Sequence, residues 1–254
     1  MLDPTKRFSN RVENYLKYRP RYPDAIIPLL EAECGLTSIS VIADIGSGTG
    51  FLTELFLKNG NPVFGVEPNP EMRVAGERVL AKYPAFSSIS GAAEATTLPD
   101  QAIDFIVAGQ AFHWFDRLAA RPEFVRILKA GGWVVLAWNG YRVETSPMMA
   151  AYQELVLRYG TDYSEVQREL VTGDIASFYE PGSCRCARFE FQQPFDYEGV
   201  KGRLLSSSFA PEADHPSYEA MLNQLRKIFD ANEKDGKINF AYETELYYGQ
   251  LPAR

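Results

Sequence analysis

The residues from Asp44 to Gly50 read Asp-Ile-Gly-Ser-Gly-Thr-Gly and could bind a ligand through their backbone. Glycines at alternate positions let a chain turn sharply and approach a ligand closely, whereas a side chain there would occupy ligand space or demand a disallowed φ. The amides of such a loop, at the start of a helix, favour a carboxylate or phosphate. The spacing is G-x-G-x-G, with Phe51 where a dinucleotide loop needs its last glycine, and no G-K-[ST] follows as in a P-loop. The loop therefore predicts a cofactor site and disfavours the nicotinamide and P-loop classes.

A second candidate is Glu67, which ends the apolar run Val63-Phe64-Gly65-Val66. A carboxylate about 20 residues past a glycine loop can accept both hydroxyls of a ribose. The alternative is a solvated acid at a strand end. Its position after the loop favours the ribose interpretation.

The third candidate is the aromatic cluster Gln110-Ala111-Phe112-His113-Trp114-Phe115. Ligands of open parallel sheets lie beyond the carboxyl ends of the strands, so residues after a fourth strand are expected to line a pocket. Trp114 and Phe115 could instead cover the following helix. His113 could serve as a general base or as a hydrogen-bonded structural imidazole, whereas His215 lies in a polar loop and is expected to be exposed.

Hydrophobic periodicity predicts strands that alternate with helices up to Asn139. The predicted strands are Ile39–Ile45, Pro62–Val66, Phe86–Ser90, Ile103–Ala108 and Trp133–Trp138, and the helices are Phe51–Leu57, Pro70–Lys82 and Arg117–Leu128. This order indicates a parallel sheet with helices on both faces.

The pattern changes beyond Asn139. Helices are predicted at Pro147–Tyr159, Val166–Phe178, Tyr197–Ser206 and Ser217–Asn232, and strands at Arg185–Phe195 and Lys237–Leu251. Polar and aromatic residues alternate from Tyr242 to Tyr248, which predicts a half-exposed antiparallel edge strand.

Several motifs in this order resemble the class I S-adenosylmethionine-dependent methyltransferases, in particular the methyltransferase type 11 group with its ubiquinone-biosynthesis-type and trans-aconitate-type enzymes. The matching segments are Asp44–Gly50, Glu67-Pro68, Gly91–Glu94 with Leu98–Asp100, Asp104–Val107, Gln110–Phe115 and Leu128–Gly132. The resemblance implies a doubly wound, Rossmann-like α/β fold whose seven-stranded, mostly parallel sheet carries helices on both faces and an inserted helical cap. It also implies S-adenosylmethionine as cofactor and S-adenosylhomocysteine as product.

By this resemblance, the loop and Asp44 hold the methionine end of the cofactor, Glu67 holds the ribose, and the turn Ala92-Ala93-Glu94 holds the adenine edge. Many relatives have an aspartate where this chain has Ala92, so the backbone of Ala93 or the side chain of Glu94 takes its place. The implied cofactor residues are Arg19, Asp44, Gly46, Ser47, Gly48, Gly50, Glu67, Pro68, Ala93, Glu94 and Gln110. The implied acceptor pocket consists of Tyr18, Tyr22, Phe112, His113, Trp114 and Asn139, with His113 as the catalytic candidate.

Composition narrows the choice of partners. The net charge of −7 disfavours nucleic acid as a substrate. The chain has three cysteines and two histidines, too few for a visible metal-ligand cluster, and we expect no metal and reduced thiols. No apolar run has signal-peptide or membrane-span length, so we expect a cytoplasmic protein without a membrane partner, either a monomer or a homodimer.

We expect one domain over residues 1–254. Its parts are N-terminal lid helices (1–35), a cofactor-binding core (36–140), cap segments (141–184 and 197–236) and closing strands (185–195 and 237–251). The cap segments, which include Met148, Met149, Tyr152 and Phe209, are expected to form a movable roof over a small-molecule acceptor. The same apolar residues could instead form an interface between copies of the chain. Alternatives are a catalytically silent cofactor-binding subunit, a tRNA or protein methyltransferase, and a nicotinamide oxidoreductase.

Overall fold

A computed structural model describes residues 12–161 and 173–252 of the chain. The strands are β1 (Ile42–Ile45), β2 (Val63–Val66), β3 (Phe86–Ile89), β4 (Ile103–Gly109), β5 (Leu128–Tyr141), β6 (Cys184–Phe195) and β7 (Ile238–Gln250). The helices are α1 (Val12–Tyr18), α2 (Ile26–Cys34), α3 (Phe51–Lys58), α4 (Pro70–Leu80), α5 (Arg117–Ile127), α6 (Pro147–Tyr159), α7 (Gly173–Tyr179), α8 (Tyr197–Leu205) and α9 (Tyr218–Asn232). Short 3₁₀ turns occupy Phe112–Trp114 and Val143–Thr145.

The seven strands form one sheet in the order β3-β2-β1-β4-β5-β7-β6. The first five pair in parallel, and β7 runs antiparallel between β5 and β6. The order reverses between β1 and β4, and ligands of open α/β sheets bind beside such a reversal. The predicted doubly wound, mostly parallel seven-stranded sheet is confirmed.

The predicted edge position of Tyr242–Tyr248 is wrong. These residues lie in β7, which is hydrogen-bonded on both sides, and β6 is the edge strand. The alternation has another cause: Glu243 and Glu245 face Arg188 of β6 at 3.5 and 2.9 Å. Polar alternation therefore reports one partly exposed sheet face and not an open strand edge.

Two apolar layers sandwich the sheet because successive strand residues point to opposite faces. On one face, Ile106 packs in the layer that includes α5 and α7. On the other face, Val107 packs in the layer that includes α2 and α3. A third cluster joins α6, α8 and α9 to the ends of β6 and β7, and it contains Met148, Met149 and Tyr152.

Some element bounds differ from those predicted. β1 begins only at Ile42, and Ile39 is 83% exposed. β5 begins at Leu128, and the glycine turn forms a bulge inside it, since Ile103 pairs with Leu128 while Phe105 pairs with Trp133. Of the helix predicted from Val166, the part before residue 173 lies outside the described residues.

The three cysteines, Cys34, Cys184 and Cys186, are free. No group of three or more His, Cys, Asp or Glu within residues 12–161 and 173–252 could hold a metal ion. Among the helices of those two ranges, none combines the length and apolar character needed to cross a membrane.

Candidate active site

The loop between β1 and α3 turns at three glycines with positive φ: Gly46 at +68°, Gly48 at +56° and Gly50 at +86°. A Cβ on Gly46 would lie 2.6 Å from the Cβ of Ala111, and one on Gly50 would lie 2.5 Å from a methyl carbon of Leu80. At Gly48 it would meet only the terminal methyl of a flexible methionine, at 3.3 Å. Packing therefore requires glycine at positions 46 and 50. At position 48 the positive φ favours glycine, and a side chain there would enter the open space beside the loop.

Glu67, which follows β2, is tied to this loop. One carboxylate oxygen accepts the N–H of Gly48 and the other accepts the N–H of Asn69, both at 2.8 Å. Glu67 is 8% exposed, and burial raises the pKa of its carboxylate, against the two backbone hydrogen bonds that lower it. Each oxygen has a second lone pair for a ligand hydroxyl.

Asp44 ends β1 under the loop. Its Oδ2 accepts the Thr53 hydroxyl at 2.6 Å, whereas its buried Oδ1 has no hydrogen-bond partner within the described part of the chain. Burial raises the pKa of Asp44 to about 7, with the Thr53 hydrogen bonds acting against the shift and Glu67 adding to it. A buried carboxylate oxygen without a partner is costly, and a cation placed beside it would relieve that cost.

A cavity of about 500 Å³ opens beside the loop. The predicted site residues on its wall are Arg19, Gly46, Gly48, Glu67, Pro68, Ala93, Glu94, Gln110, His113, Trp114 and Asn139. A second cavity of about 40 Å³ lies under the loop and is lined by Asp44, Ser47 and Tyr22, together with several residues of the larger cavity. The structure thus brings most of the predicted site together.

Three predicted residues stand elsewhere. Phe112 is 1% exposed, and its ring packs edge-on against Phe178 with centroids 4.8 Å apart, so it belongs to the core and not to the pocket. Tyr18 packs against Gly202 of α8 and lines neither cavity. Gly50 lines neither cavity and packs against Leu80 of α4.

The turn after β3 lies on the cavity wall with Ala92, Ala93 and Glu94. One carboxylate oxygen of Glu94 accepts the N–H of Asp116 at 2.8 Å, which links this turn to the start of α5. On the same wall, the ring of His113 lies against Trp114 with centroids 4.5 Å apart.

The known proteins that this chain resembles are methyltransferases. A profile described as "Methyltransferase domain" matches residues 43–136, from β1 into β5. A methyltransferase-like protein of Schizosaccharomyces pombe, itself uncharacterised, is 28% identical over 250 residues, which are 95% of this chain and 94% of that protein. The chain is thus similar to methyltransferases over nearly its whole length.

Other methyltransferases match in part or in fold. An uncharacterised methyltransferase of Mycobacterium tuberculosis is 36% identical over 138 residues, 54% of either chain. A solved structure from Anaeromyxobacter dehalogenans, described as a type II methyltransferase, has a TM-score of 0.70 at 18% identity and covers 93% of this chain and all of its own. One from Anabaena variabilis, described as a methyltransferase from an antibiotic biosynthesis pathway, has a TM-score of 0.63 at 22% identity, with 91% and 99% coverage. The two solved structures support the fold alone.

Two arginines complete the wall of the larger cavity. Arg19 follows α1 and donates to the hydroxyl and the carbonyl oxygen of Ser206 at 3.0 and 2.9 Å. Burial and the nearby Arg203 lower the pKa of Arg19 to about 10. Arg203, on α8, is 4% exposed and donates to the Tyr242 hydroxyl at 3.1 Å and to the Ser207 hydroxyl at 3.2 Å.

Sequence reasoning missed part of the wall of the larger cavity. The missed residues include Tyr15, Asn69, Tyr141, Gln153, Arg203 and Ser207. One signal was available: Arg203 lies three residues after Val200 and directly before Leu204, so a charge falls on the apolar face of a helix. The others come from the cap and the N-terminal helix, whose position over the sheet no local pattern fixes.

Proposed function

We propose that this methyltransferase binds S-adenosylmethionine in the cavity beside the glycine loop and transfers its methyl group to a small-molecule acceptor held under the cap. The observation that carries this proposal is the wall of the larger cavity. Gly48 and Glu67 line one part of it, and Tyr141, Arg203 and Phe209 from the β5 end and the cap line another. A cofactor and an acceptor would therefore meet in one cavity.

The described residues fit the chemical groups of the cofactor. The unpartnered Oδ1 of Asp44 suits an ammonium group, and the free lone pairs of Glu67 suit the two ribose hydroxyls. Arg19 lines both cavities and has no carboxylate partner within the described ranges, which suits the cofactor's carboxylate. The turn at Ala93 and Glu94 would contact the edge of the adenine. Pro68 and Gln110 would form the walls beside it.

When bound, S-adenosylmethionine supplies a methyl group on a sulfonium, whose carbon–sulfur electrons stay on sulfur as a lone pair of the acceptor forms the new bond to carbon. Such an in-line displacement needs alignment above all, and orientation alone is worth roughly 7 to 11 kcal/mol. The residues of this chain would supply orientation and exclude water. His113 and Trp114 would position the acceptor, and a base is needed only if the attacking atom carries a proton.

The size of the cavity supports a small acceptor. Pockets for small ligands span roughly 300 to 1,000 Å³, and about 500 Å³ falls within that range. The cofactor would fill part of this space, and the remainder would hold an acceptor of small-molecule size.

A labelled-methyl assay tests the proposal. The protein is incubated with methyl-labelled S-adenosylmethionine and a cell extract separated into small-molecule, RNA and protein fractions. Label is expected in the small-molecule fraction, and it should be absent when the protein is left out. Label only in RNA or protein would contradict the small-molecule acceptor, and no transfer to any fraction despite cofactor binding would favour a silent subunit.

A further inference from the structure

We propose that the methyl acceptor carries an oxyanion, a carboxylate or a phosphate group, and that Arg203 of the cap binds it. This inference rests on the proposed function and names the class of acceptor that the same site takes. The cavity wall around α8 carries two positively charged side chains, Arg19 and Arg203.

Two guanidinium groups, those of Arg19 and Arg203, lie close to Ser206 on this wall. Arg19 and Arg203 both donate to Ser206, and neither has an acidic partner within residues 12–161 and 173–252. By contrast, Arg21, two residues after Arg19, is paired with Glu54. Buried charges are normally paired, because removing an ion from water is costly.

The acidic residues of the larger cavity, Glu67 and Glu94, do not pair with these arginines. Glu67 accepts the N–H groups of Gly48 and Asn69, and Glu94 accepts the N–H of Asp116. Apart from Arg19, the groups that surround Arg203 are neutral. They are the rings of Tyr141 and Tyr242, at 5.0 and 6.0 Å from the guanidinium carbon, and the nearby hydroxyl groups.

Arg203 also keeps donors for a ligand. Its Nε and Nη1 bond to hydroxyl groups of Tyr242, Ser206 and Ser207, whereas Nη2 has no hydrogen bond to any described residue. The buried hydroxyl of Tyr141, on the same wall, likewise lacks a partner in the described ranges. A guanidinium fork matches the geometry of carboxylate and phosphate oxygens, and a neighbouring hydroxyl can donate to the same anion.

The two arginines serve different ligands. Arg19 lines the small cavity under the glycine loop as well as the large one, so it lies toward the methionine end of the cofactor. Arg203 lines only the large cavity, with Tyr141, Gln153 and Ser207. A cofactor carboxylate therefore leaves Arg203 without an anion, and the acceptor is the remaining source of one.

Binding of two simple anions tests this inference. Protein saturated with S-adenosylhomocysteine is titrated at constant ionic strength with malonate, with inorganic phosphate and with the neutral malonamide. Malonate or phosphate should bind and malonamide should not, and which anion binds more tightly distinguishes a carboxylate from a phosphate acceptor. Failure of both anions to bind would overturn the inference, whereas failure of S-adenosylhomocysteine itself would overturn the proposed function.

Variants identify the residue responsible. Arg203→Met should weaken anion binding about tenfold or more, as expected for a lost charge-assisted contact, and should weaken S-adenosylhomocysteine binding much less, since Arg203 reaches the cofactor site only through Ser206, which it shares with Arg19. Arg226→Met is the matched control, because Arg226 is on the cap helix α9, pairs with Asp230 and lines neither cavity. Undiminished anion binding by Arg203→Met, or an equal loss of S-adenosylhomocysteine binding, would contradict the assignment.

Arg203→Lys covers the case in which the methionine variant does not fold. It keeps the charge but loses the planar fork, so anion binding should be weaker than in the wild type and stronger than in any folded Arg203→Met protein. Wild-type anion affinity in the lysine variant would overturn the inference. With an acceptor in hand, Arg203→Met should raise KM more than it lowers kcat, because the contact is made before the methyl group moves.

Discussion

At the scale of single residues, Asp44 makes the site sensitive to pH. Burial raises its pKa to about 7, so below that pH it binds a proton that must leave before a cofactor ammonium group can pair with it. The affinity for S-adenosylhomocysteine should therefore be constant above about pH 7 and fall toward tenfold per pH unit below it.

Calorimetry between about pH 5.5 and 8, in buffers of different ionisation enthalpy, measures both the affinity and the protons released. Asp44→Asn should bind weakly at every pH, without proton release. Asp100→Asn, an exposed partner of Arg126, is the control and should keep the wild-type profile. A wild-type affinity that does not change with pH would contradict the assigned role.

Glu67 should contribute through the ribose. Glu67→Ala is expected to weaken S-adenosylhomocysteine binding at least about tenfold, because a charge-assisted hydrogen bond contributes about 1.5 to 3 kcal/mol. Glu77→Ala on α4 is the control, since Glu77 is bound to Ser88 and lines neither cavity.

The Glu67 carboxylate also holds the N–H groups of Gly48 and Asn69, so loop support must be separated from ligand contact. An S-adenosylhomocysteine analogue without the ribose 2′-hydroxyl achieves this. The wild type should discriminate against the analogue, and Glu67→Ala should not. Equal discrimination by both proteins would limit Glu67 to supporting the loop.

The residues nearest the glycine motif could be predicted from sequence because short-range geometry fixes them. A glycine loop and an acid at the end of the next strand meet wherever two parallel strands are neighbours. Arg203 and Tyr141 reach the same cavity only through the packing of the cap, which depends on contacts between distant segments. Phe112 was misplaced because an aromatic residue in a loop can turn into the core as readily as into a pocket.

At the scale of the elements, the loop between β1 and α3 should tolerate no side chain at its middle glycine. Gly48 has a φ of +56° and lines both cavities. Gly48→Val is expected to remove S-adenosylhomocysteine binding, because the branched side chain strains the backbone and enters the ligand space.

Gly35→Val provides the matched control. Gly35 ends α2 with a φ of +70°, and nothing lies within 4 Å of its Cβ position. Both variants should lose similar stability in urea unfolding, by roughly 1 to 3 kcal/mol, but only Gly48→Val should lose binding. Equal binding by the two variants would remove the loop from the site.

In the 3₁₀ turn after β4, Phe112 should act in the core and Trp114 in the site. Phe112→Ala is expected to cost about 3 to 5 kcal/mol in the free energy of unfolding, since the ring is buried against Phe178. Trp114→Ala should cost about 1 kcal/mol or less and should mainly weaken acceptor binding, since Trp114 lines the cavity. Urea unfolding of both variants decides this, and the opposite order of stabilities would contradict the division.

The elements themselves were largely predictable, and the limits of prediction have local causes. α6 was predicted as Pro147–Tyr159 and has this range in the structure, where Ser146 caps its first turn by accepting the N–H of Met149. β5 was predicted too short, since the bulge within it reads in sequence as a turn. The position of β7 depends on pairing with β5 and β6, which the alternation of its own residues cannot report.

At the scale of the whole molecule, the sheet and the cap each supply part of the wall of the larger cavity. The parallel strands and the glycine loop form one part of the cavity wall, and the segments after β5 supply another. Buried apolar residues of α6, α8 and α9 hold the cap against the ends of β6 and β7. We propose that acceptor choice resides in this second part, where Arg203 lies, and cofactor choice in the first.

The central claim is that the space beside the glycine loop is an S-adenosylmethionine site. Calorimetric titration of the wild-type protein with S-adenosylhomocysteine, and separately with NADH, tests it most directly. We expect one S-adenosylhomocysteine bound per chain and no NADH binding. Binding of NADH without binding of S-adenosylhomocysteine, or binding of neither, would contradict it.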